Sequence, residues 1–402
     1  MNPIYIAGIV PALLAAATAI FAFPLVARVA LAVRAVDYPG GRRSQVVPTP
    51  RMGGIAIVAG IVIGSGVLMM ALWQKWGGKV TPLDIVALVL GTGLVFLVGL
   101  ADDLIGLSPI KRFMVQVLAA LVVIYAGWSF GDLHVPFLGQ VHLGFWGGLV
   151  TLAWIVGVTN AINLLDGLDG LAGGVAAIIG SSLLIFAWIQ GNTLMVIVTS
   201  ATVGACLGFL RHNWAPARIY MGDSGSLTLG FLLSVMSLHA SIKGAATVAI
   251  LVPILALGLP VIDTLLVMAV RFAAKPQGSH VRRLARMFKA DRNHLHHLMT
   301  RAAPERKQIV FVIYVATACF CAMALVVAIS RSAYLGVSLI VVEVLVICTM
   351  RQIGALREAR ALSIEQRRQI RETFFANKAP DSKPSIDPDL ASSEPDRSDR
   401  AS

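Results

Sequence analysis

The chain has 402 residues, of which 57% are hydrophobic and 13% charged, and its mean hydropathy is +0.79. Soluble proteins carry about 25% charged residues, so this composition excludes a soluble globular domain and indicates a polytopic membrane protein. A net charge of +12 would suit nucleic acid, but most Lys and Arg residues lie in alternate connections between apolar runs. We therefore expect no nucleic-acid partner.

The apolar runs predict an all-α fold with about eleven transmembrane helices. The positive-inside rule places the N-terminus outside and the C-terminus in the cytoplasm, which requires an odd number of spans. Residues 1–350 would form the transmembrane domain, and residues 351–402 a charged cytoplasmic tail that is largely disordered from about residue 378. The runs lie near residues 4–33, 53–73, 83–101, 113–131, 145–165, 171–190, 193–210, 225–242, 246–271, 309–329 and 332–350.

The first connection, DYPGGRRSQVVPTPRMGG at residues 37–54, is rich in Pro, Gly and Arg. One interpretation is a basic loop that sets topology and touches anionic lipid. The other is a phosphate-facing loop, in which Gly53 and Gly54 allow close backbone approach and Arg51 offers a fork of donors.

The third apolar run ends in two adjacent carboxylates, Asp102 and Asp103. Adjacent negative charges repel and need a cation nearby. Lys111 and Arg112 could supply it as ion-pair partners, or a bound metal could include all of these residues in one site.

The stretch NAINLLDGLDGLAGG, residues 160–174, places Asn163, Asp166 and Asp169 at spacings of three. If the helix continues, these side chains share one face; if it breaks at Gly167 and Gly170, their oxygens lie on a tight turn. Either geometry suits Mg²⁺, which takes one or two carboxylates and completes its shell with water and phosphate oxygens. The alternative is a loop with two solvated aspartates.

Three further acidic residues lie at or within apolar runs. Asp223, in the sequence MGDSGS, either caps the following helix or acts as a ligand. Asp263, inside the ninth run, is a functional candidate because an ionisable residue in lipid is costly, and a hydrogen bond to a neighbouring helix explains it equally well. Glu343 in the last run is a weaker case of the same kind.

The sequence DRNHLHH carries His294, His296 and His297 within a strongly basic connection. Zinc ligation would need cysteine or carboxylate companions at metal spacing, which are missing from the local sequence. Hydrogen bonding and charge directed toward an anionic substrate is the better interpretation.

These clusters all fall on the side predicted to be cytoplasmic, and their carboxylates would repel one another without a divalent cation. The combination indicates Mg²⁺-dependent chemistry on a phosphorylated substrate at the membrane surface, so one substrate should be a lipid. We expect one cleft to be lined by Asp102, Asp103, Asp166, Asp169, Asp223 and His294.

Over most of residues 37–300 the chain resembles the polyprenyl-phosphate N-acetylhexosamine-1-phosphate transferases. Six motifs in order carry the resemblance: D-x-P followed by P-x-P-R-x-G-G (residues 37–54), the acidic pair with a downstream Lys (Asp102, Asp103, Lys111), NxxNLLDGLDGLAGG (160–174), MGDSGS (221–226), PVIDT (260–264) and DRNHLHH (291–297).

The resemblance implies transfer of a sugar 1-phosphate from a UDP-sugar to undecaprenyl phosphate, with release of UMP. The HLHH run is closer to the branch that uses UDP-N-acetylglucosamine than to the muramoyl-pentapeptide branch. The first loop departs from the family, which often reads R-K-x-H where this chain has RRSQ at residues 42–45, so the amino sugar stays open.

The resemblance also implies roles for residues at matching positions. Asp223 would coordinate Mg²⁺, with Mn²⁺ as a substitute, and Asp166 would lie beside the metal. Asp102 or Asp103 would deprotonate the lipid phosphate. The remaining implied contacts are Lys111 to that phosphate, Asn163 and Asp169 to the uridine diphosphate, Arg51 to substrate, and His294, His296 and His297 to the donor's diphosphate.

The expected setting is a bacterial inner membrane with the active site on the cytoplasmic face, at the first membrane step of cell-envelope polysaccharide synthesis. A homodimer is compatible with the resemblance. The alternatives are a muramoyl-pentapeptide transferase, a transferase for another UDP-amino sugar and, from another class, a cation-coupled transporter. A transporter should show related halves and acidic residues near mid-bilayer, whereas most acidic clusters here lie at the ends of runs.

Overall fold

The computed structural model describes residues 3–38, 48–72, 80–135, 139–242, 250–273, 294–300 and 306–376. Thirteen helices and two short antiparallel strand pairs lie within these ranges. The strand pairs are β1 (Val36–Asp37) with β2 (Thr49–Pro50), and β3 (Asp132–Val135) with β4 (Gly139–His142). The helices are α1 Pro3–Ala32, α2 Gly53–Leu72, α3 Pro82–Ile105, α4 Pro109–Tyr125, α5 Phe145–Leu165, α6 Leu171–Ile189, α7 Thr193–Asn213, α8 Gly222–Ile242, α9 Leu251–Ala256, α10 Gly258–Ala273, α11 Leu295–Thr300, α12 Arg306–Ser330 and α13 Ala333–Ala376.

The all-α polytopic fold is confirmed, because each predicted apolar run coincides with a helix. The ninth run differs from the others because it forms two helices, α9 and α10, which are divided at Leu257. Eight helices among the described residues are long and apolar enough to cross a membrane. The count of eleven spans and the orientation of the termini stay predictions.

The last helix crosses the boundary expected at residue 351. Helix α13 continues without a break from its apolar part into the charged segment and ends at Ala376. The predicted disordered tail from about residue 378 lies outside the described residues.

Helices α7 and α8 form the centre of the bundle. Helix α7 packs on α1, α2 and α6, while α8 packs on α3 and α5. Four buried hydroxyls of α8, those of Ser226, Thr228, Ser234 and Ser237, donate to carbonyl oxygens three or four residues earlier, whereas the buried Ser224 hydroxyl has no hydrogen-bond partner among the described residues. Because most of its hydroxyls are satisfied within the helix, α8 can lie among apolar neighbours despite its polar residues.

The order of the helices brings the polar residues of several helix ends to one end of the bundle. Helices α3 and α5 end where α8 begins, and the β1–β2 pair joins the same place through a parallel bridge between Arg51 and Tyr220. The acidic pair, the Asn163–Asp169 stretch and Asp223 therefore meet at a single face.

Candidate active site

The first turn of α8 is held by the carboxylate of Asp103. Its two oxygens accept hydrogen bonds from the backbone N–H of Asp223 at 2.8 Å and of Ser224 at 3.0 Å. Gly222 has a positive φ of 72°, and a Cβ there would lie 2.5 Å from Asp103 Oδ2. Asp103 is only 6% exposed, so it serves as the cap of α8 and positions Asp223.

The neighbouring Asp102 has different partners. Its Oδ1 accepts from the Leu107 N–H at 2.6 Å, and its Oδ2 lies 3.2 Å from a guanidinium nitrogen of Arg112. The same nitrogen is paired with Asp223 Oδ2. Arg112 therefore links two carboxylates, whereas Lys111 beside it is exposed, and a contact of Lys111 with the lipid phosphate stays a prediction.

Asn163 connects α5 to the same cluster. Its amide nitrogen donates to Asp223 Oδ1 at 3.1 Å and to Ser226 Oγ at 2.8 Å. The helix ends at Leu165, and Asp166 is its C-terminal cap residue. Of the two geometries left open by the sequence, the structure has the turn: Asn163 lies on the helix, and both aspartates follow its end.

The turn after α5 is fastened to the loop that precedes α8. Asp169 Oδ2 accepts from the Ala217 N–H at 3.1 Å. The Gly170 N–H donates to Asn213 Oδ1 at 3.0 Å, and the Asn213 amide donates to Ile219 O at 2.8 Å. Both loops therefore form one unit, and Asp169 contributes to it structurally.

The carboxyl of Asp166 lies in a strongly negative environment. Burial raises its pKa to about 7, and repulsion from the neighbouring aspartates, Asp223 first, acts in the same direction. The positive charge of Arg51 acts oppositely on this pKa. Asp166 thus lies among excess negative charge, which a bound cation would relieve.

The first loop reaches this cluster through backbone hydrogen bonds. Tyr220 N donates to Pro50 O at 2.8 Å, and Gly53 N donates to Tyr220 O at 2.9 Å. A Cβ at Gly54 would lie 2.5 Å from the Ser224 carbonyl carbon, so this glycine permits the close approach of α2 to α8. Arg51 is paired with Asp37 at 3.4 Å; the basic residues at 42 and 43 lie outside the described ranges.

The histidine run divides between two environments. His294 is 5% exposed, and its Nδ1 lies 3.0 Å from Asp263 Oδ2, so it faces a neighbouring helix and is not shown to line the carboxylate cluster. His296 is 1% exposed, and a Cβ at Gly167 would lie 2.6 Å from its Nε2. His296 is the histidine that meets the turn carrying Asp166, with the His297 ring 4.1 Å away.

Asp263 has the interhelical partners that the sequence could not identify. It is paired with Arg351 of α13, and its two oxygens accept from the Leu295 N–H at 3.1 and 3.2 Å. Glu343 differs, because both of its buried oxygens lack a hydrogen-bond partner among the described residues, and its carboxyl lies against Gly258.

The residues present suit a hard divalent cation. Asp166 and Asp223 offer carboxylate oxygens in a site with surplus negative charge. In the described ranges, no group of three or more His, Cys, Asp or Glu side chains is arranged to hold a metal ion. Two carboxylates are enough for Mg²⁺, whose remaining positions are filled by water and phosphate oxygens.

Two arginines matter more than the sequence indicated. Arg112 could not be separated from Lys111 because adjacent residues of one charge carry the same signal. Arg351 falls in the segment that the sequence predicts to be a charged tail, although a buried acid such as Asp263 requires a cation near it on a neighbouring helix.

Comparison with known proteins identifies the family of this chain. The profile of glycosyl transferase family 4 matches residues 85–241. A Bacillus subtilis (strain 168) protein named "Probable undecaprenyl-phosphate N-acetylglucosaminyl 1-phosphate transferase" is 34% identical over 331 residues, which cover 82% of this chain and 87% of that protein.

Two other relatives show the breadth of the group. A decaprenyl-phosphate N-acetylglucosaminephosphotransferase of Mycobacterium tuberculosis (strain ATCC 25618 / H37Rv) is 34% identical over 324 residues, 75% of this chain and 78% of that protein. A phospho-N-acetylmuramoyl-pentapeptide-transferase of Desulforamulus reducens is 33% identical over 279 residues, 65% of this chain and 77% of that protein. The chain therefore belongs to glycosyl transferase family 4, in the group of polyprenyl-phosphate N-acetylhexosamine-1-phosphate transferases.

Proposed function

We propose that this protein transfers N-acetylglucosamine 1-phosphate from UDP-N-acetylglucosamine to undecaprenyl phosphate, releasing UMP, in a Mg²⁺-dependent reaction. The observation that carries the proposal is the similarity to the Bacillus subtilis protein over 82% of the chain. The oxygen-rich cluster around Asp223, at one end of a membrane bundle, supplies the chemistry that such a reaction needs.

In this reaction an oxygen of the lipid phosphate attacks the β-phosphorus of the UDP-sugar. The bond from that phosphorus to the bridging oxygen breaks, and UMP leaves with the oxygen. A proton on the attacking phosphate must be removed, and Asp102 is better placed than Asp103 to accept it. Asp103 is buried and both of its oxygens hold the α8 backbone, whereas Asp102 is partly exposed and its Oδ2 pairs with Arg112, the side chain that would turn to the phosphate.

Arg112 is a cation of this cluster whose position suits the acceptor phosphate. Its guanidinium pairs with Asp102 and Asp223 and can re-form those bonds with phosphate oxygens in a bidentate manner. Asn163 holds Asp223 in place from α5.

Asp166 and Asp223 would hold the Mg²⁺ ion, which supplies neutralisation of the charge that develops on the transferred phosphoryl group. The high pKa of Asp166 supports this assignment, because a carboxyl destabilised by neighbouring anions gains most from a cation.

His296 would contact the donor by hydrogen bonding and not by charge. Burial, and then the neighbouring His297, lowers the pKa of His296 to about 3, so its imidazole is neutral at physiological pH. Both of its ring nitrogens lack a hydrogen-bond partner within the described parts of the chain. A neutral ring can serve the sugar or the base as donor or acceptor.

The membrane setting is part of the same proposal. We place the protein in the bacterial plasma membrane with its active site on the cytoplasmic face, supported by the Lys and Arg residues of the connections at that end. The first membrane step of a cell-envelope polysaccharide is the corresponding place in a reaction sequence.

The test is UMP release by the purified protein in detergent with Mg²⁺, with undecaprenyl or decaprenyl phosphate as acceptor. UDP-N-acetylglucosamine is compared with UDP-N-acetylmuramoyl-pentapeptide and with a second UDP-amino sugar. Release with UDP-N-acetylglucosamine alone, lost in Asp223→Asn, supports the proposal. Release only with another donor would reassign the substrate, and an Asp223→Asn protein as active as wild type would overturn the metal site.

A further inference from the structure

A buried ionic contact joins α10, the residue before α11 and the last helix, α13. Asp263 of α10 is paired with Arg351 of α13 and lies 3.0 Å from His294, the residue that precedes α11. Asp263 is 3% and His294 5% exposed. We call the contact among Asp263, His294 and Arg351 the α10–α13 latch.

Helix α11 contacts this latch at its first residue. It has six residues, and isolated helices shorter than about 12 residues are marginal in water. Its first N–H, from Leu295, donates to Asp263. It also packs on α13 one turn beyond Arg351, where a Cβ at Gly354 would lie 3.2 Å from Leu298 Cβ.

The latch is linked to the donor side of the active site. Helix α11 carries His296, whose ring meets Gly167, the residue that follows Asp166. The proposed acceptor contacts, Asp102 and Arg112, belong instead to α3 and α4. A shift of α11 would therefore move His296 relative to the donor while leaving the acceptor contacts in place.

We propose that Arg351 is a positioning residue for the UDP-sugar: it orients Asp263, which holds His294 and the start of α11, and thereby sets His296 against the Asp166 turn. This inference rests on the proposed function for the identity of the donor. Arg351 itself touches no substrate. Removing it leaves the Asp263 carboxylate buried with its main countercharge lost, so α11 loosens.

The test compares Arg351→Gln and Arg351→Lys with a matched control, Arg357→Gln, which changes an exposed arginine of the same helix. KM for UDP-N-acetylglucosamine, KM for undecaprenyl phosphate and kcat are measured for each variant. Hydrogen–deuterium exchange of residues 294–300 is measured in parallel on the intact protein.

We expect Arg351→Gln to raise the donor KM by about 10- to 100-fold, the scale for displaced site residues, with the acceptor KM unchanged. Exchange at residues 294–300 should become faster. Arg351→Lys should recover part of both effects, and Arg357→Gln should match wild type. Combining Arg351→Gln with Asp263→Asn should add little to the single change, because the two residues act through one contact.

A fall in kcat with both KM values unchanged would show a loss of folded protein and overturn the inference. Unaltered exchange at residues 294–300 in Arg351→Gln would overturn it as well. A wild-type protein that releases no UMP from UDP-N-acetylglucosamine would instead refute the proposed function, and the exchange measurement would still decide whether the latch holds α11.

Discussion

Replacing Asp103 by Asn tests whether this carboxylate positions α8. It accepts two backbone hydrogen bonds, of 2.8 and 3.0 Å, at a buried helix N-terminus. Asn keeps one acceptor and turns its amide group toward the other N–H, which leaves a buried donor unsatisfied at about 1–3 kcal/mol. Loss of the negative charge at the helix N-terminus adds about 0.3–1 kcal/mol. We therefore expect Asp103→Asn to lower the free energy of unfolding by about 1–4 kcal/mol.

The effect on activity should follow from the displacement of Asp223. We expect kcat/KM to fall about 100-fold and the Mg²⁺ concentration for half-maximal UMP release to rise. Asp102→Asn is the matched control, because it changes the adjacent carboxylate, which does not hold the α8 backbone: it should cost less stability than Asp103→Asn, since Arg112 keeps its pairing with Asp223, while abolishing most activity. Denaturant unfolding in detergent and UMP release measure both properties. An Asp103→Asn protein with wild-type stability and Mg²⁺ dependence would refute the reasoning.

Three other predictions concern the same face of the bundle. The pKa of Asp166, about 7 against an ordinary value of 3.8, means that the folded protein without metal binds more protons than the unfolded one between these values. The stability of the metal-free protein should therefore fall as pH rises from about 4 to 7. In Asp166→Asn, thermal unfolding in EDTA should no longer show this dependence on pH. Gly167→Ala would place a Cβ 2.6 Å from the His296 ring; the UDP-sugar KM should rise and the acceptor KM should not, and an unchanged donor KM would argue against contact between His296 and the donor. Gly54→Ala should destabilise by about 1–3 kcal/mol through overpacking on α8, whereas Gly66→Ala, in open space on the same helix, should be neutral or stabilising in the same unfolding assay.

Much of the architecture could be predicted from the sequence because membrane helices follow a simple physical rule. Long apolar runs must satisfy their backbone groups internally in lipid, so they form helices. The predicted runs coincide with helices of the structure. The division of the ninth run at Leu257 was not predicted, although Gly258 and Pro260 directly after it are residues that interrupt helices.

The site was predictable in location and less so in detail. Acidic clusters at the ends of apolar runs, on the side of the basic connections, indicated one charged face. The pattern at Asn163, Asp166 and Asp169 could not decide between a helix face and a turn, since the glycines that follow tolerate both. His294 is predicted to line the cleft that contains the acidic cluster, whereas in the structure its ring contacts Asp263 of α10.

The sequence by itself determined the class of protein, the helical segments and the residue types of the site, because hydropathy and charge are local properties that act on each segment separately. Only the tertiary structure decided which of two neighbouring residues of the same type takes each role in the site. Asp103 caps α8 while Asp102 pairs with Arg112, and Arg351 reaches Asp263 from the last helix. These pairings depend on the rotation and depth of helices relative to one another, and packing between distant segments sets both.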